Sequence, residues 1–250
     1  MTLTGLPVDA ETASYTIPSV EPGRMSNRDG AGVHTLPFDV EYGGREFTIT
    51  PTAVETDRGI VLIDVGPEAA IDSLRTHLRA LGYELSDVWL VVLTHHDGDH
   101  AGGLAELLEH TDAVVAAHRE ETPYVTGERD PVKGDGDRYP PVGVDLELVD
   151  GVRIPTLAGP MDVVATPGHA PGHISLYFPE GGLVIAGDAL VADGDEPLSG
   201  PKPEFTPEMD RALESVADLA DLEIEHLVCY HGGYVQADSD RIREIGDSGR

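Results

Sequence analysis

The sequence predicts an α/β chain in which two mixed β-sheets pack face to face and helices cover their outer faces. Three observations predict it. Each half of the chain reads as a group of strands followed by helix, strand and helix. The apolar share is 40% while aromatics make up only 5%, so the core rests on Val, Leu, Ile and Ala. The length of 250 residues fits one large domain or two small ones, with enough apolar residues for a sizeable core.

Residues 1–14 lack periodicity and are expected to form a flexible start, with a single domain over 15–250. β-type runs follow at Thr35 to Glu41, Phe47 to Thr56 and Gly59 to Asp64. The turn Tyr42-Gly43-Gly44 predicts a hairpin between the first two. Glu68 to Leu81 carries Ala69, Leu74, Leu78 and Leu81 at helical spacing, and Gly82 stops it. Val88 to Leu93 is a fully apolar strand; a helix over Gly102 to His110 and a strand over Ala113 to Ala117 come next. Residues 122–141, rich in Gly, Pro and Asp, read as a loop long enough to be a lid over a site.

In the second half, strands are expected at Asp145 to Val149, Val152 to Leu157, Asp162 to Thr166, Ile174 to Phe178 and Leu183 to Ala186. A second Gly/Pro loop spans 193–207. Then come an amphipathic helix at Met209 to Ala220, a strand at His226 to Tyr230 and a helix at Asp238 to Ile245.

Acidic residues number 46 against 16 basic ones, a formal charge of −30, and the lysines are Lys133 and Lys202 alone. The acids are spread along the whole chain between apolar strands, a pattern of salt adaptation rather than of one acidic binding tail. No basic stripe exists to neutralise phosphates, so nucleic acid is not an expected partner. No apolar run approaches the ~20 residues of a membrane span, and Met1 to Val20 lacks the order of a secretory signal. A soluble cytoplasmic protein with a small-molecule substrate and no membrane partner is expected; the sequence sets no oligomeric state. Cys229 is alone in an apolar run and reads as a buried, inert thiol.

The chemistry is concentrated in Thr94-His95-His96-Asp97-Gly98-Asp99-His100, directly after the apolar strand. A rigid strand end can fix a first metal ligand, and Gly98 lets the chain turn back to aim the others. His and Asp supply the N and O donors suited to Zn²⁺ and to first-row metals generally. Further donors leave other strands into Gly-containing turns: Thr166-Pro167-Gly168-His169, Gly187-Asp188 and His231-Gly232-Gly233. Alone, each is an ordinary turn residue; together they point to one sheet edge.

This pattern resembles the metallo-β-lactamase superfamily, whose signature is a HxHxDH loop followed by His, Asp and His ligands at separate strand ends. Asp64 in Val61-Leu62-Ile63-Asp64-Val65-Gly66 matches the family's structural Asp, which braces the metal loop. Thr166-Pro167-Gly168-His169-Ala170-Pro171-Gly172-His173 resembles glyoxalase II-like and lactonase-like members. The resemblance spans about Phe47 to Gly233 and implies an αββα sandwich with two divalent metal ions. By that resemblance His95, Asp97 and His169 form one site, Asp99, His100 and His231 the other, and Asp188 bridges them.

One departure is that Asp97 stands where the family has its second His, giving HxDxDH. Zinc is the expected metal, and the added carboxylate brings iron and manganese into play. His96 points away from its neighbours' direction and is not expected to substitute. His173 is expected to brace the His169 turn by a hydrogen bond. His34, His77, His110, His118 and His226 read as surface or packing residues.

The implied reaction is hydrolysis of an activated acyl bond in a thioester, lactone or related ester. Metal lowers the pKa of water from 15.7 toward ~7 and so supplies hydroxide at neutral pH, with Asp99 orienting the water and relaying its proton. No G-x-S-x-G elbow and no phosphate-binding glycine loop competes with that reading. Two alternatives are a non-haem iron redox enzyme such as a persulfide dioxygenase, favoured by Asp97, and a non-catalytic metal-binding or sensing protein. Only about 17 residues follow Gly233, too few for the helical domain with which glyoxalase II holds its thiol cofactor.

The charge yields the first prediction. In molar KCl the Debye length falls to ~3 Å, which removes most of the self-repulsion of a −30 chain. Melting temperature should therefore rise between dilute buffer and molar KCl, and a flat or falling value would refute salt adaptation.

Overall fold

A strand that is apolar on both faces must be covered on both, and Val88–Leu93 is such a strand. The computed structural model describes residues 23–24, 32–42, 45–133, 138–192, 197–236 and 239–248. The expected flexible start at 1–14 and the turn glycines Gly43 and Gly44 lie outside the described residues.

The first half opens with Gly23–Arg24 (β1), Val33–Thr35 (β2) and the hairpin Phe38–Tyr42 (β3) with Arg45–Ile49 (β4). Thr52–Thr56 (β5), Gly59–Ile63 (β6), the helix Ile71–Leu81 (α1) and Val88–Leu93 (β7) follow. Two short helices, Gly98–Ala101 (α2) and Leu104–Leu107 (α3), lead to Val114–His118 (β8), Thr122–Val125 (α4) and Leu146–Leu148 (β9). The second half runs Arg153–Thr156 (β10), Gly159–Ala165 (β11), Ile174–Phe178 (β12), Leu183–Gly187 (β13) and Met209–Leu219 (α5). His226–Cys229 (β14), Gly233–Gln236 (β15) and Ser239–Asp247 (α6) complete it.

One sheet has the order β1-β2-β5-β6-β7-β8-β9, with β6 to β9 parallel. The other runs β10 to β15 in sequence order, with β13 and β14 parallel. Side-chain alternation along these strands makes three apolar layers. Leu90 and Val92 of β7 point between the sheets, where they join Val61, Leu176, Phe178, Ile185 and Val228. Val91 and Leu93 point the other way, to Leu74 and Leu78 of α1. On the far side Val184 and Leu227 meet Leu213 and Val216 of α5 and Ile242 of α6. The result is helix, sheet, sheet, helix, as the sequence predicts. Among the described residues no helix is long and apolar enough to cross a membrane.

Four local expectations are corrected. Phe47 to Thr56 is two strands, because Pro51 has no N–H with which to continue a ladder; β4 forms a hairpin with β3 and touches His231 through a bridge at Ile49, and β5 joins β2 and β6. The helix expected over Gly102 to His110 starts at Gly98 and breaks at Gly102-Gly103. Those glycines lie against Pro67: a Cβ on Gly103 would stand 3.0 Å from its carbonyl oxygen. The loop at 122–141 begins with α4. Strand β15 follows the Gly232-Gly233 turn, pairing antiparallel with β14 where the sequence shows only a turn signal.

The topology decides where donors can meet. Two antiparallel steps make β11 run in the same direction as β13, and β14 is parallel to β13. The C-terminal ends of all three therefore lie on one edge of their sheet. The Ile174 N–H donates to the Thr94 carbonyl at 3.0 Å, which ties that edge to the end of β7.

Candidate metal centre

Asp64 follows β6 in a left-handed conformation, φ 58°, rare for a residue with a Cβ. Its carboxylate is fully buried and accepts the Thr94 N–H at 2.8 Å, the Thr94 hydroxyl at 2.7 Å and His100 Nδ1–H at 2.8 Å. With its hydrogen committed to Asp64, the Thr94 oxygen accepts His95 Nδ1–H at 3.1 Å. The same logic holds across the site. Thr206 donates its hydroxyl to the Lys202 carbonyl and so accepts from His169 Nδ1 at 3.3 Å. Three imidazoles thus have Nδ1–H fixed to the scaffold and turn Nε2, the atom that ligates once deprotonated, into the site.

Those nitrogens face carboxylates. His95 Nε2 and His169 Nε2 lie 3.1 and 3.2 Å from Asp97 Oδ2. Asp188 stands among three rings: His100 Nε2 is 3.2 Å from Oδ1, while His169 and His231 Nε2 are 3.3 and 3.4 Å from Oδ2. Asp99 Oδ2 is 3.4 Å from His231 Nε2. His95 Nε2, His100 Nε2 and Asp188 Oδ1 are buried with no partner in hydrogen-bonding geometry. Carboxylates and imidazole nitrogens crowded in this way repel unless protons or metal cations stand between them. The donor atoms fall into three sets, each within 4.8 Å: His95, Asp97, His169; His95, His100, Asp188; and Asp99, His100, His231. Their chemistry and their unpartnered buried atoms fit divalent metal ions.

Charge in the site follows from the same crowding. Burial works against ionised Asp97, yet His95, His169 and Lys133 hold its pKa well below the usual carboxylate range. Burial works against Asp188 too, and His231, His100 and His169 overcome it. Burial disfavours charged His100, but Asp188, Asp64 and Asp99 raise its pKa. His231 is opposed by burial and still pushed up to about 10 by Asp188 and Asp99. His95 goes the other way, lowered by burial and by His100.

His173 has a different part. Burial, then the neighbouring His169, lowers its pKa to about 3. The neutral ring donates from Nδ1 to the Thr166 hydroxyl at 2.8 Å and accepts the Asp188 N–H on Nε2 at 2.9 Å. It therefore fixes the backbone of Asp188. A Cβ on Gly187, φ 55°, would stand 2.6 Å from that ring nitrogen, so glycine is required there.

The other histidines lie outside the three sets. His34 pairs with Glu55, His77 bonds the Pro37 carbonyl, His110 meets Arg75 and His226 meets Tyr234. His118 is half-buried, with its Nδ1 accepting the Glu120 N–H. His96 turns from the donors to Glu121, fully buried, and stacks on Tyr124. Three contributors have no motif in the sequence. Glu121 accepts the N–H groups of His96 at 2.9 Å and Gly172 at 2.6 Å, tying the turns that carry Asp97 and His169. Tyr230 stacks on His100 at 3.6 Å and donates to the Asp99 carbonyl. Lys133 pairs with Asp97 and reaches His169 Nε2 at 2.6 Å. Only the lysine left a trace, being one of two in an acidic chain.

These charges yield a pH prediction. Metal-free His231 holds its proton below about pH 10, so a metal ion must expel it. Affinity at this set should fall as pH falls, about tenfold per unit for each proton expelled. Calorimetry of zinc binding near neutral pH in buffers of different ionisation enthalpy should count at least one proton released. Zinc uptake without proton release would contradict the assignment.

The family model described as metallo-beta-lactamase superfamily matches residues 44–231. The chain is 34% identical over 227 residues to the probable metallo-hydrolase YflN of Bacillus subtilis, covering 80% of this chain and 84% of that one. It is 32% identical over 185 residues to a hydroxyacylglutathione hydrolase of Ruegeria pomeroyi; the match covers 74% of this chain and 62% of that one. Among solved structures, a metallo-beta-lactamase family protein from Thermus thermophilus superposes with a TM-score of 0.66 at 27% identity, covering 86% of this chain and 77% of that one. The chain belongs to the metallo-beta-lactamase superfamily and is a metallo-hydrolase of that fold.

Proposed function

We infer that this enzyme hydrolyses an activated acyl bond, in a thioester, lactone or related ester, with two divalent metal ions. His95, Asp97 and His169 would hold one, Asp99, His100 and His231 the other, and Asp188 would touch both. The observation that carries this reading is the position of Asp188, a single carboxylate within 3.4 Å of three imidazole nitrogens from three turns. Metals bound there supply a polarised carbonyl and water acidified from 15.7 toward ~7.

The chain's own residues do the rest. Asp99, on the first turn of α2 and about a third exposed, is the most solvent-accessible of the three donor carboxylates. It takes the attacking water's proton as oxygen bonds to the acyl carbon, then passes it to the leaving sulfur or oxygen as that bond breaks. Asp64, Thr94 and Thr206 hold the imidazoles in the ligating tautomer, and His173 holds Asp188. Zinc suits the four imidazoles; the carboxylate of Asp97 gives iron and manganese a claim. The matched hydroxyacylglutathione hydrolase extends well beyond the matched region, so a glutathione thioester is one member of the substrate class rather than the assignment. A small-molecule substrate, one domain over 15–250 and an acidic surface suited to concentrated salt in the cytoplasm complete the reading. An iron-dependent redox activity rests on Asp97 alone, and oxygen uptake by iron-loaded protein would replace hydrolysis if it were correct.

The test compares turnover and bound metal in three variants at matched salt. Asp99→Asn keeps shape and loses the proton acceptor, so kcat should fall ~10²–10⁴-fold with KM little changed. Asp97→Ala should lower metal content, while Asp97→His should retain it. Near-normal turnover in Asp99→Asn, or full metal in Asp97→Ala, would overturn these roles.

A further inference from the structure

Glu121 is fully buried, and three N–H groups converge on its two carboxylate oxygens. Oε2 accepts the backbone N–H of His96 at 2.9 Å and also its ring Nδ1–H, while Oε1 accepts the Gly172 N–H at 2.6 Å. With Nδ1–H given to Glu121, the His96 ring offers Nε2 as an acceptor to the Val132 N–H at 3.4 Å, outside the donor cluster. The ring stacks on Tyr124 with centroids 4.3 Å apart, and Tyr139 donates to the His96 carbonyl at 2.9 Å. One stretch of chain, from Glu121 to Tyr139, therefore grips the residue that stands between His95 and Asp97.

The other oxygen reaches the turn of His169. A Cβ on Gly172 would stand 2.9 Å from Glu120 Cβ and 3.1 Å from Glu121 Cγ, so that turn is pressed directly against the same segment. Glu121 is thus a strut between the loop of His95 and Asp97 and the turn of His169. The other donor set has its own supports. His100 is bonded to Asp64, the Asp99 carbonyl takes the Tyr230 hydroxyl, and the Gly232 N–H donates to the Thr48 carbonyl at 3.2 Å beside His231. Asp188 keeps its anchor as well, because His173 is held by the Thr166 hydroxyl and accepts the Thr166 N–H on its carbonyl at 2.9 Å. None of these bonds passes through Glu121.

We propose that Glu121 is a positioning residue for one metal ion of the pair. It sets the spacing of Asp97 from His169 and so governs occupancy of the His95, Asp97 and His169 set, while the Asp99, His100 and His231 set binds independently of it. This rests on the two-metal reading above. A carboxylate is required for the task. An amide in the same place would turn its NH₂ on one partner or the other, setting donor against donor and breaking the strut at that end.

The experiment measures zinc binding by the full-length protein in molar KCl, by competition with a chelator of known affinity and by mass spectrometry. The wild type should take two ions. Glu121→Gln should bind one as the wild type does and the other roughly 10–100-fold more weakly, the range for loss of an outer hydrogen-bond partner. Two backgrounds show which ion is affected. Combined with Asp97→Ala, Glu121→Gln should leave the remaining ion's affinity unchanged; combined with His231→Ala, it should weaken the remaining ion by the full factor. Glu121→Asp keeps the carboxylate but is one methylene too short to span both turns, so it should show the same selective loss, and it stands in if Glu121→Gln gives no cooperative melt. Equal weakening of both ions, unchanged affinity for both, loss confined to the His231 set, or failure of both variants to fold would overturn the proposal. A wild type that binds a single ion, abolished by Asp97→Ala and weakened by Glu121→Gln, would sink the two-metal reading and keep the role of Glu121. A single ion indifferent to Glu121→Gln would sink both.

Discussion

Asp188 is the constraint on which the rest depends. Its carboxylate is held by backbone geometry among His100, His169 and His231, each at 3.2–3.4 Å. Three rings and one carboxylate so placed are unfavourable without positive charge between them. In the absence of metal, protons on His100 and His231 and the ammonium of Lys133 supply that charge. Divalent metals supply it more compactly. The site is therefore a cluster of anions and lone pairs whose shape persists because the scaffold prevents it from relaxing.

The scaffold acts through hydrogen bonds one step back from the donors. Asp64 adopts a left-handed backbone and in return joins Thr94 to His100, so that the end of β7 and the start of α2 move as one piece. Glu121 does the same between the turns of His96 and Gly172, with no solvent contact to weaken it. His173 joins the third turn to the fourth by accepting the Asp188 N–H. Four turns from two sheets are coupled in this way, which suits a centre whose donors must stay within a few tenths of an ångström.

How much of this was legible depended on whether the signal was local. β7 and its motif could be read directly, because a strand buried on both faces is a continuous apolar run and the donors follow it at once. The turns at His169, Asp188 and His231 were legible as donors at strand ends, and the family resemblance grouped them; the strand order supplies the physical reason that they reach one edge. The break at Pro51 and the early start of α2 were missed because tertiary contacts override local propensity: β4 finds its partner in β3, and Gly102-Gly103 sit against Pro67. Glu121 was illegible because its two acceptors' partners lie 25 and 51 residues away. Lys133 was visible as a rarity but not as a neighbour of Asp97, 36 residues distant in sequence.

Metal-loaded crystals examined by anomalous X-ray diffraction at the absorption edge of the bound element test the central claim most directly. Two peaks are expected, one contacting His95, Asp97 and His169 and one contacting Asp99, His100 and His231, with Asp188 within bonding distance of both. A single peak, or Lys133 still seated on Asp97 and His169 in loaded protein, would contradict a two-metal centre bridged by Asp188.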